Sequence, residues 1–160
     1  MRYEWRDYTT DDAACVDGWM DDEAVHYTGC DDGWDDYISY MMQEPYVRHG
    51  SNFWCKLILD NHNPIAAAAL YLTEENVLCI SELVVDPHAR GSGHGRALLR
   101  ELLDHTVSIL GCDIRGASAV IFPNNLASIR AFSCAGFSMT HAHPDGDALY
   151  YQYDIPKTEL

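Results

Sequence analysis

Apolar residues recur along this chain with two periods, which distinguish helices from strands. Leucines at positions 98, 99, 102 and 103 follow helical spacing and place the longest predicted helix at residues 93–110. Residues 76–85 are rich in β-forming residues and are followed by the turn signal Asp86-Pro87, which predicts a strand. The other predicted strands span residues 2–9, 53–60, 65–73, 117–122, 137–143 and 148–153. Three further helices are predicted: the first begins at a cap at Thr10 or Asp11 and ends near residue 20, and the others span residues 34–43 and 125–135. Residues 22–33 are predicted to form a loop.

Strands and helices mixed in this order are typical of one mixed sheet with helices on both faces. A length of 160 residues favours a single domain over residues 1–160. The chain contains no run of about 18 apolar residues and no apolar segment at its start. We therefore expect a cytoplasmic protein that does not interact with a membrane.

A glycine loop lies between the predicted strand at 76–85 and the predicted helix at 93–110. Its residues 90–95 read RGSGHG. The first N–H groups of a helix have no partner within the helix and carry partial positive charge, so this junction is expected to bind a phosphate group. The glycines also remove side chains that would hold a diphosphate away from the backbone.

Two familiar phosphate loops do not fit these residues. A Walker A loop ends in Gly-Lys-Ser/Thr, whereas Gly95 is followed by Arg96-Ala97. A dinucleotide fingerprint has the spacing G-x-G-x-x-G near the first strand, whereas this loop has G-x-G-x-G and lies past the midpoint. A glycine-rich turn that binds nothing is the alternative on the loop alone.

A second motif follows at residues 125–137, which are predicted to form a short helix that ends at a glycine. Together the two motifs resemble those of the Gcn5-related N-acetyltransferase superfamily. The loop pattern Arg/Gln-x-x-Gly-x-Gly/Ala is matched by Arg90, Gly93 and Gly95. The later pattern Asn-x-x-Ser/Ala-x-x-x-Tyr-x-x-x-Gly-Phe is matched by Asn125, Ser128, Gly136 and Phe137. The resemblance covers residues 53–155 well and the first fifty in outline.

This resemblance implies a fold, a cosubstrate and a site. The implied fold belongs to the α/β (α+β) class. It has a single mixed, mostly antiparallel sheet of six to seven strands, flanked by about four helices, and two of the strands are splayed apart to admit the cofactor. The implied activity is transfer of an acetyl group from acetyl-CoA to a primary amine, without a metal. The expected cofactor-binding residues are Val84, Val85, Arg90, Gly91, Ser92, Gly93, His94, Gly95, Asn125, Ser128 and Phe132. Arg130 is a further candidate partner for the CoA phosphates.

Glu82 is the expected proton acceptor, because it lies on the strand that leads into the loop, where related enzymes often carry a carboxylate. A carboxyl group in low-dielectric surroundings has a raised pKa, which suits a general base. A solvent-facing Glu82 without a catalytic role is the alternative. A bulge near Val84 and Val85 would free backbone N–H groups to bind the thioester and the pantetheine arm.

Phe132 stands where the superfamily usually has a tyrosine that acts as general acid. Three explanations are open. The thiolate leaves without an acid, since thiols ionise near neutral pH; another donor replaces the tyrosine; or the protein is a CoA-binding sensor or interaction domain without turnover. The alternative donors are Cys134, Ser133, Tyr150, Tyr151 and Tyr153.

Charge suggests the type of acceptor. The formal net charge is −15, and residues 7–47 contain no lysine or arginine. Interleaved with the acidic residues of this segment are Trp19, Tyr27, Trp34, Tyr37 and Tyr40. Acidic and aromatic residues together suit a cationic amine, either a small molecule or a protein N-terminus; a solvated acidic face is the alternative. The same charge argues against nucleic acid as a partner.

The cysteines and histidines predict no further chemistry. The six cysteines form no C-x-x-C pair, so neither a disulfide nor a zinc site is expected. His141 and His143 with Asp145 could face one metal ion, but no third ligand has a suitable spacing, so surface histidines are expected. The tyrosine-rich last strand is a candidate for pairing across a homodimer.

Overall fold

The computed structural model describes residues 1–156 apart from the side chain of His49. Seven strands form one sheet in the order β1-β2-β3-β4-β5-β7-β6. The strands are β1 (Glu4–Asp7), β2 (Phe53–Asp60), β3 (Asn63–Leu72), β4 (Val77–Val85), β5 (Gly116–Ile121), β6 (Ser138–Ala142) and β7 (Leu149–Asp154). The helices are α1 (Ala13–Asp17), α2 (Asp22–Thr28), α3 (Trp34–Met41), α4 (His94–Asp104), α5 (Thr106–Leu110) and α6 (Leu126–Cys134), with 3-10 turns at Thr10–Asp12, Pro45–Gly50 and Pro87–Ala89. Only β4 and β5 are parallel neighbours, so the predicted mixed, mostly antiparallel sheet is confirmed.

Strand β3, which lies inside the sheet between β2 and β4, is buried on both faces. Ala66, Ala68 and Leu70 belong to a core on one face of the sheet. Ala67 and Ala69 belong to a second core on the other face. A strand covered on both sides reads as a continuous apolar run, which explains why this segment lacks polar alternation.

Helices cover both faces, as the sequence predicts. The four leucines of α4 are buried in the first core. Val16 of α1 and Trp34 of α3 are fully buried in the second core. The helix pattern of residues 93–110 therefore identified a face that does pack on the sheet.

The strands β4 and β5 part after a short paired stretch. They pair only through Val77–Cys79 and Gly116–Ser118, although β4 continues for six more residues. Between β3 and β4, Ala69 pairs with Glu82 and Leu70 with Ile80, so Ser81 is an extra residue in β4. A bulge bends its strand and increases its twist, so β4 changes direction where the gap opens.

The expected bulge near Val84 and Val85 is wrong in position. These residues pair regularly with Ala67 and Ala66 of β3. Beyond Cys79, the other edge of β4 has no strand partner because β4 separates from β5. The splayed strands implied by the resemblance are therefore present, but the irregularity that accompanies them lies at Ser81.

Residues 1–156 contain six α-helices rather than about four, for two reasons. The segment predicted as a loop at 22–33 contains α2: the Asp21 side chain accepts a hydrogen bond from the backbone N–H of Ala24 (2.9 Å), and Gly29 ends the helix with a φ of 70°. These are ordinary cap signals that a reading of periodicity alone passes over. The predicted helix at 93–110 is also interrupted at His105, which separates α4 from α5.

The other end of the sheet differs from expectation as well. The predicted closing hairpin around residues 144–147 is confirmed as β6 and β7. However, β7 lies between β5 and β6, so the outer edge belongs to β6. The tyrosine-rich last strand has both edges paired, and the idea that it pairs across a homodimer is wrong. Among the helices of residues 1–156, none is long and apolar enough to span a membrane.

Candidate active site

The gap between β4 and β5 opens into a cavity, which we call the cleft. Its volume is about 590 Å³. Glu82 lines it, together with every predicted cofactor-binding residue except Ser92, which is exposed in the loop. Residues of α2 and β5 complete its walls, and sequence reasoning assigned none of them to the cofactor.

The glycine loop has the backbone geometry of an anion cradle. Gly91 and Gly93 have φ angles of 77° and 80°, a region that residues with a side chain rarely adopt. No atom lies within 4 Å of where a Cβ would stand at either position, so this space is open to a ligand. Gly93 is the N-cap of α4, whose first N–H groups therefore face the cleft. At Gly95 a Cβ would lie 3.4 Å from that of Ala131, so glycine also allows α4 to approach α6.

Three arginines line the cleft in a chain that carries a net charge of −15. Arg90 comes from the loop, Arg96 from α4 and Arg130 from α6. Arg96 and Arg130 are exposed, whereas Arg90 is paired with Asp21 and Glu23. Arginine side chains and the first N–H groups of α4 thus lie at the same cleft.

Helix α2 crosses the mouth of the gap. At its first turn, Arg90 donates to Asp21 (2.8 Å) and its guanidinium lies 3.6 Å from Glu23. Toward its other end, the hydroxyl of Tyr27 donates to the carbonyl of Asn124 (3.2 Å). The helix is therefore tied both to the loop after β4 and to the loop after β5, and it forms a wall of the cleft.

Glu82 follows the bulge residue Ser81 and faces the cleft. Burial raises the pKa of its carboxyl well above the ordinary value for glutamate. No nearby charge contributes to this increase, so the ionised form is poorly solvated. By exposed surface Glu82 is half-buried, so its carboxyl remains accessible from the cleft.

Phe132 is a wall residue of the cleft. Its ring is 6% exposed and packs edge-on against Phe137, with ring centroids 4.9 Å apart. Of the alternative proton donors considered from the sequence, only Cys134 lines the cleft, and it is exposed. Asn125 caps α6 by accepting a hydrogen bond from the backbone N–H of Ser128 (3.3 Å).

Several acidic and aromatic residues of the N-terminal segment stabilise the fold, although the sequence suggested that they would face a ligand. Trp19 and Trp34 are buried in the second core, so neither can contact a ligand. Asp17 accepts a hydrogen bond from the backbone N–H of Trp34 (2.8 Å), and Asp35 accepts one from the hydroxyl of Tyr8 (2.6 Å). Part of the acidic charge is therefore structural.

A second, smaller cavity adjoins the cleft, and we call it the tyrosine pocket. Its volume is about 230 Å³, and Tyr37, Tyr46 and Tyr71 line it. Ile80 and Ser81 belong to both cavities. The sequence pointed to Tyr37 but not to the other two tyrosines, which lie in a 3-10 turn and in β3 and approach each other only in the folded chain.

The histidine pair considered as a metal site is not assembled. His141 stacks on Tyr150, with ring centroids 4.3 Å apart. His143 instead contacts Asp145 (3.5 Å) and Asp147 (3.4 Å) within the exposed hairpin turn.

The sequence matches the model of the acetyltransferase (GNAT) family over residues 5–137. This match covers most of the chain, and the chain belongs to this family of N-acetyltransferases. No curated protein matches the sequence significantly.

Solved structures share the same fold. The aminoglycoside acetyltransferase AAC(6')-Ib, in complex with coenzyme A, aligns with a TM-score of 0.72 and 21% identity, over 95% of this chain and 94% of that one. A spermidine N-acetyltransferase from Vibrio cholerae, in complex with CoA and spermine, aligns with a TM-score of 0.72 and 14% identity, over 96% and 95%. A domain from Methanocaldococcus jannaschii DSM 2661 aligns with a TM-score of 0.73 and 18% identity, over 96% and 98%.

Proposed function

We propose that this protein binds acetyl-CoA in the cleft and transfers its acetyl group to a primary amine. One observation carries the proposal. The two strands part at the point where a glycine loop, a helix N-terminus and three arginines converge. A diphosphate attached to a long, mostly neutral arm matches this arrangement of positive charge at the mouth and backbone N–H groups along a gap.

The residues divide between the two parts of the cofactor. The loop residues Gly91, Gly93 and Gly95, with Arg90, bind the diphosphate, and Arg130 is a further phosphate partner. His94 contributes its backbone N–H at the first turn of α4, and a hydrogen bond between its Nδ1 and the hydroxyl of Tyr3 (2.8 Å) fixes its ring. Ser92 can contribute only through its backbone, since its side chain does not line the cleft.

The arm of the cofactor lies along β4. Val84 and Val85 line the gap on the side of β4 that has no strand partner beyond Cys79. Backbone N–H groups alternate between the two edges of a strand, and that of Asp86 donates to Ile65 of β3, so the N–H of Val85 faces the gap and is suited to bind the pantetheine or the thioester carbonyl. Phe132 offers an apolar wall on the opposite side, and Asn125 with Ser128 supports that wall by capping α6.

Glu82 is the proposed general base. The amine nitrogen forms a bond to the acetyl carbon, the carbon–sulfur bond breaks, and the proton of the amine passes to the Glu82 carboxylate directly or through water. A raised pKa lets this carboxylate accept a proton near neutral pH, which a solvated glutamate does poorly. The thiolate leaves without a general acid, in keeping with a phenylalanine at position 132.

The acceptor is a primary amine, of which cationic small molecules and protein N-termini are the candidates. Among the similar folds, AAC(6')-Ib is known in complex with parmomycin and acetyl-CoA, and the Vibrio cholerae spermidine N-acetyltransferase in complex with CoA and spermine. A net charge of −15 favours the approach of a cation to this chain.

The test is thiol release from acetyl-CoA with a panel of primary amines, beside calorimetric titration with CoA. We expect binding of CoA and amine-dependent release, and a reaction lost on replacing Glu82 with glutamine. Binding without release for every amine would support the alternative of a CoA sensor, which the missing hydroxyl at Phe132 favours. A carboxyl group whose pKa is raised by burial supports catalysis over sensing, because it can accept a proton near neutral pH.

A further inference from the structure

The tyrosine pocket meets the cleft at the apex of the gap. Ser81 and Val120 line both cavities, one on each side of the separating strands. Glu82 is the next residue after Ser81, so a group that reaches from this pocket into the gap arrives beside the carboxylate. The pocket is thus positioned to supply a second reactant to the cleft.

Three aromatic rings form the walls of the pocket. Tyr46 and Tyr71 are in contact, with ring centroids 4.8 Å apart and planes 37° from each other. Tyr37 faces the same cavity from α3. Aromatic faces attract ammonium groups and pack against apolar groups. Such walls accept an organic cation more readily than an anion.

The floor of the pocket is closed by a neutral contact. Cys79 and Ser118 are the last paired residues of β4 and β5, and their Sγ and Oγ atoms lie 3.2 Å apart. These groups satisfy each other, so they leave little unpaired polar surface. None of the described residues that line this pocket is charged.

We propose that the tyrosine pocket is the acceptor site and that it selects a compact monoamine, in which one primary ammonium group is attached to an apolar body. This inference rests on the acetyltransferase function proposed above and narrows its substrate class. A volume of about 230 Å³ is smaller than the roughly 300–1,000 Å³ of pockets that enclose drug-sized ligands. A polyamine or an aminoglycoside would place its additional ammonium groups against neutral walls, because the described lining holds no carboxylate and Glu82 and Glu44 act on Tyr37 and Tyr46 from outside it. The acidic charge of the whole chain attracts these cations in proportion to their charge, so any preference for a monoamine has to come from the neutral lining of the pocket.

The experiment compares kcat/KM for 2-phenylethylamine, spermidine, kanamycin and a short peptide at saturating acetyl-CoA. We expect 2-phenylethylamine to be the best of the four. The variants Tyr46→Leu and Tyr71→Leu should raise its KM roughly tenfold while leaving the KM for acetyl-CoA unchanged. The variant Tyr46→Phe keeps the ring and should retain the KM of the natural protein. Tyr40→Leu is the matched control, because Tyr40 is 63% exposed and does not line the pocket.

The result separates this inference from the proposed function. Better turnover of spermidine, kanamycin or the peptide, or an unchanged amine KM in both leucine variants, would overturn the pocket assignment and leave acetyl transfer standing. If no amine is turned over, calorimetric titration of the CoA-bound protein with 2-phenylethylamine decides. Binding that both leucine variants weaken would keep the pocket and remove the enzymatic function, and absence of binding would remove both.

Discussion

Replacing Glu82 with glutamine should make the protein more stable at neutral pH while abolishing acetyl transfer. The carboxyl lies in the wall of the cleft, and burial alone raises its pKa. Glutamine has nearly the same size and carries no charge. The variant therefore removes the unfavourable burial of a carboxylate and leaves the packing in place.

The size of this effect depends on pH in a definite direction. Since the pKa of Glu82 is raised on folding, the folded protein holds this proton at pH values where the unfolded chain has released it. Above the ordinary glutamate pKa, the free energy of unfolding of the natural protein therefore falls by about 1.36 kcal/mol per pH unit through this one group. The fall ends once the pH exceeds the pKa of Glu82 in the folded protein. The advantage of Glu82→Gln should grow with the same slope and then remain constant.

Urea unfolding of both proteins at closely spaced pH values, followed by tryptophan fluorescence, measures this difference. Glu74→Gln is the control, because it removes a carboxylate whose side chain is 82% exposed, and its stability should run parallel to that of the natural protein. The acetylation rate of the natural protein should rise with pH through the same pKa that the stability difference reveals. If the stabilities of Glu82→Gln and the natural protein instead change in parallel with pH, burial does not raise the pKa of Glu82. The explanation of how Glu82 acts as a general base would then be wrong as well.

Three further substitutions test the site and the core. Gly93→Glu should abolish CoA binding, and Gly111→Glu is the control that should not. Both glycines have a φ near 80° and open space at Cβ, so the two substitutions introduce the same backbone strain of about 1–2 kcal/mol. Equal CoA affinities of the two variants in calorimetry would contradict the proposed phosphate loop. Phe132→Tyr should leave kcat unchanged at neutral pH if the thiolate departs unaided, and a clear increase in the steady-state rate would show that a general acid is missing. Leu98→Ala should lower the free energy of unfolding by about 2–5 kcal/mol in urea titrations, because Leu98 is fully buried against the sheet; a loss below about 1 kcal/mol would contradict its place in the core.

The geometry of the proposed cofactor loop was predictable from the sequence because it depends on local backbone conformation. Residues 90–95 lie within one loop, and their glycines specify positive φ angles whatever surrounds them. The helix that follows is amphipathic, so its first N–H groups had to lie next to that loop. Caps that depend on a few neighbouring residues, such as Asp21 and Gly29 of α2, were equally visible in principle.

The acceptor half was not predictable in the same way. Tyr37, Tyr46 and Tyr71 are separated along the chain and meet only because α3 and a 3-10 turn pack beside the sheet. Conversely, Trp19 and Trp34 belong to an aromatic-rich acidic segment, yet packing buries them. Composition identifies which residue types are available but not which of them face a cavity.

Periodicity, glycine spacing and charge therefore determined the order of strands and helices, the phosphate loop and the acidic character of this protein, because each is a property of neighbouring residues. The tertiary structure alone decided where β7 is inserted, where β4 bulges and how far Glu82 is removed from water. Those features arise from contacts between segments distant in the chain, and such contacts set both the shape of the gap and the solvation of the carboxylate within it.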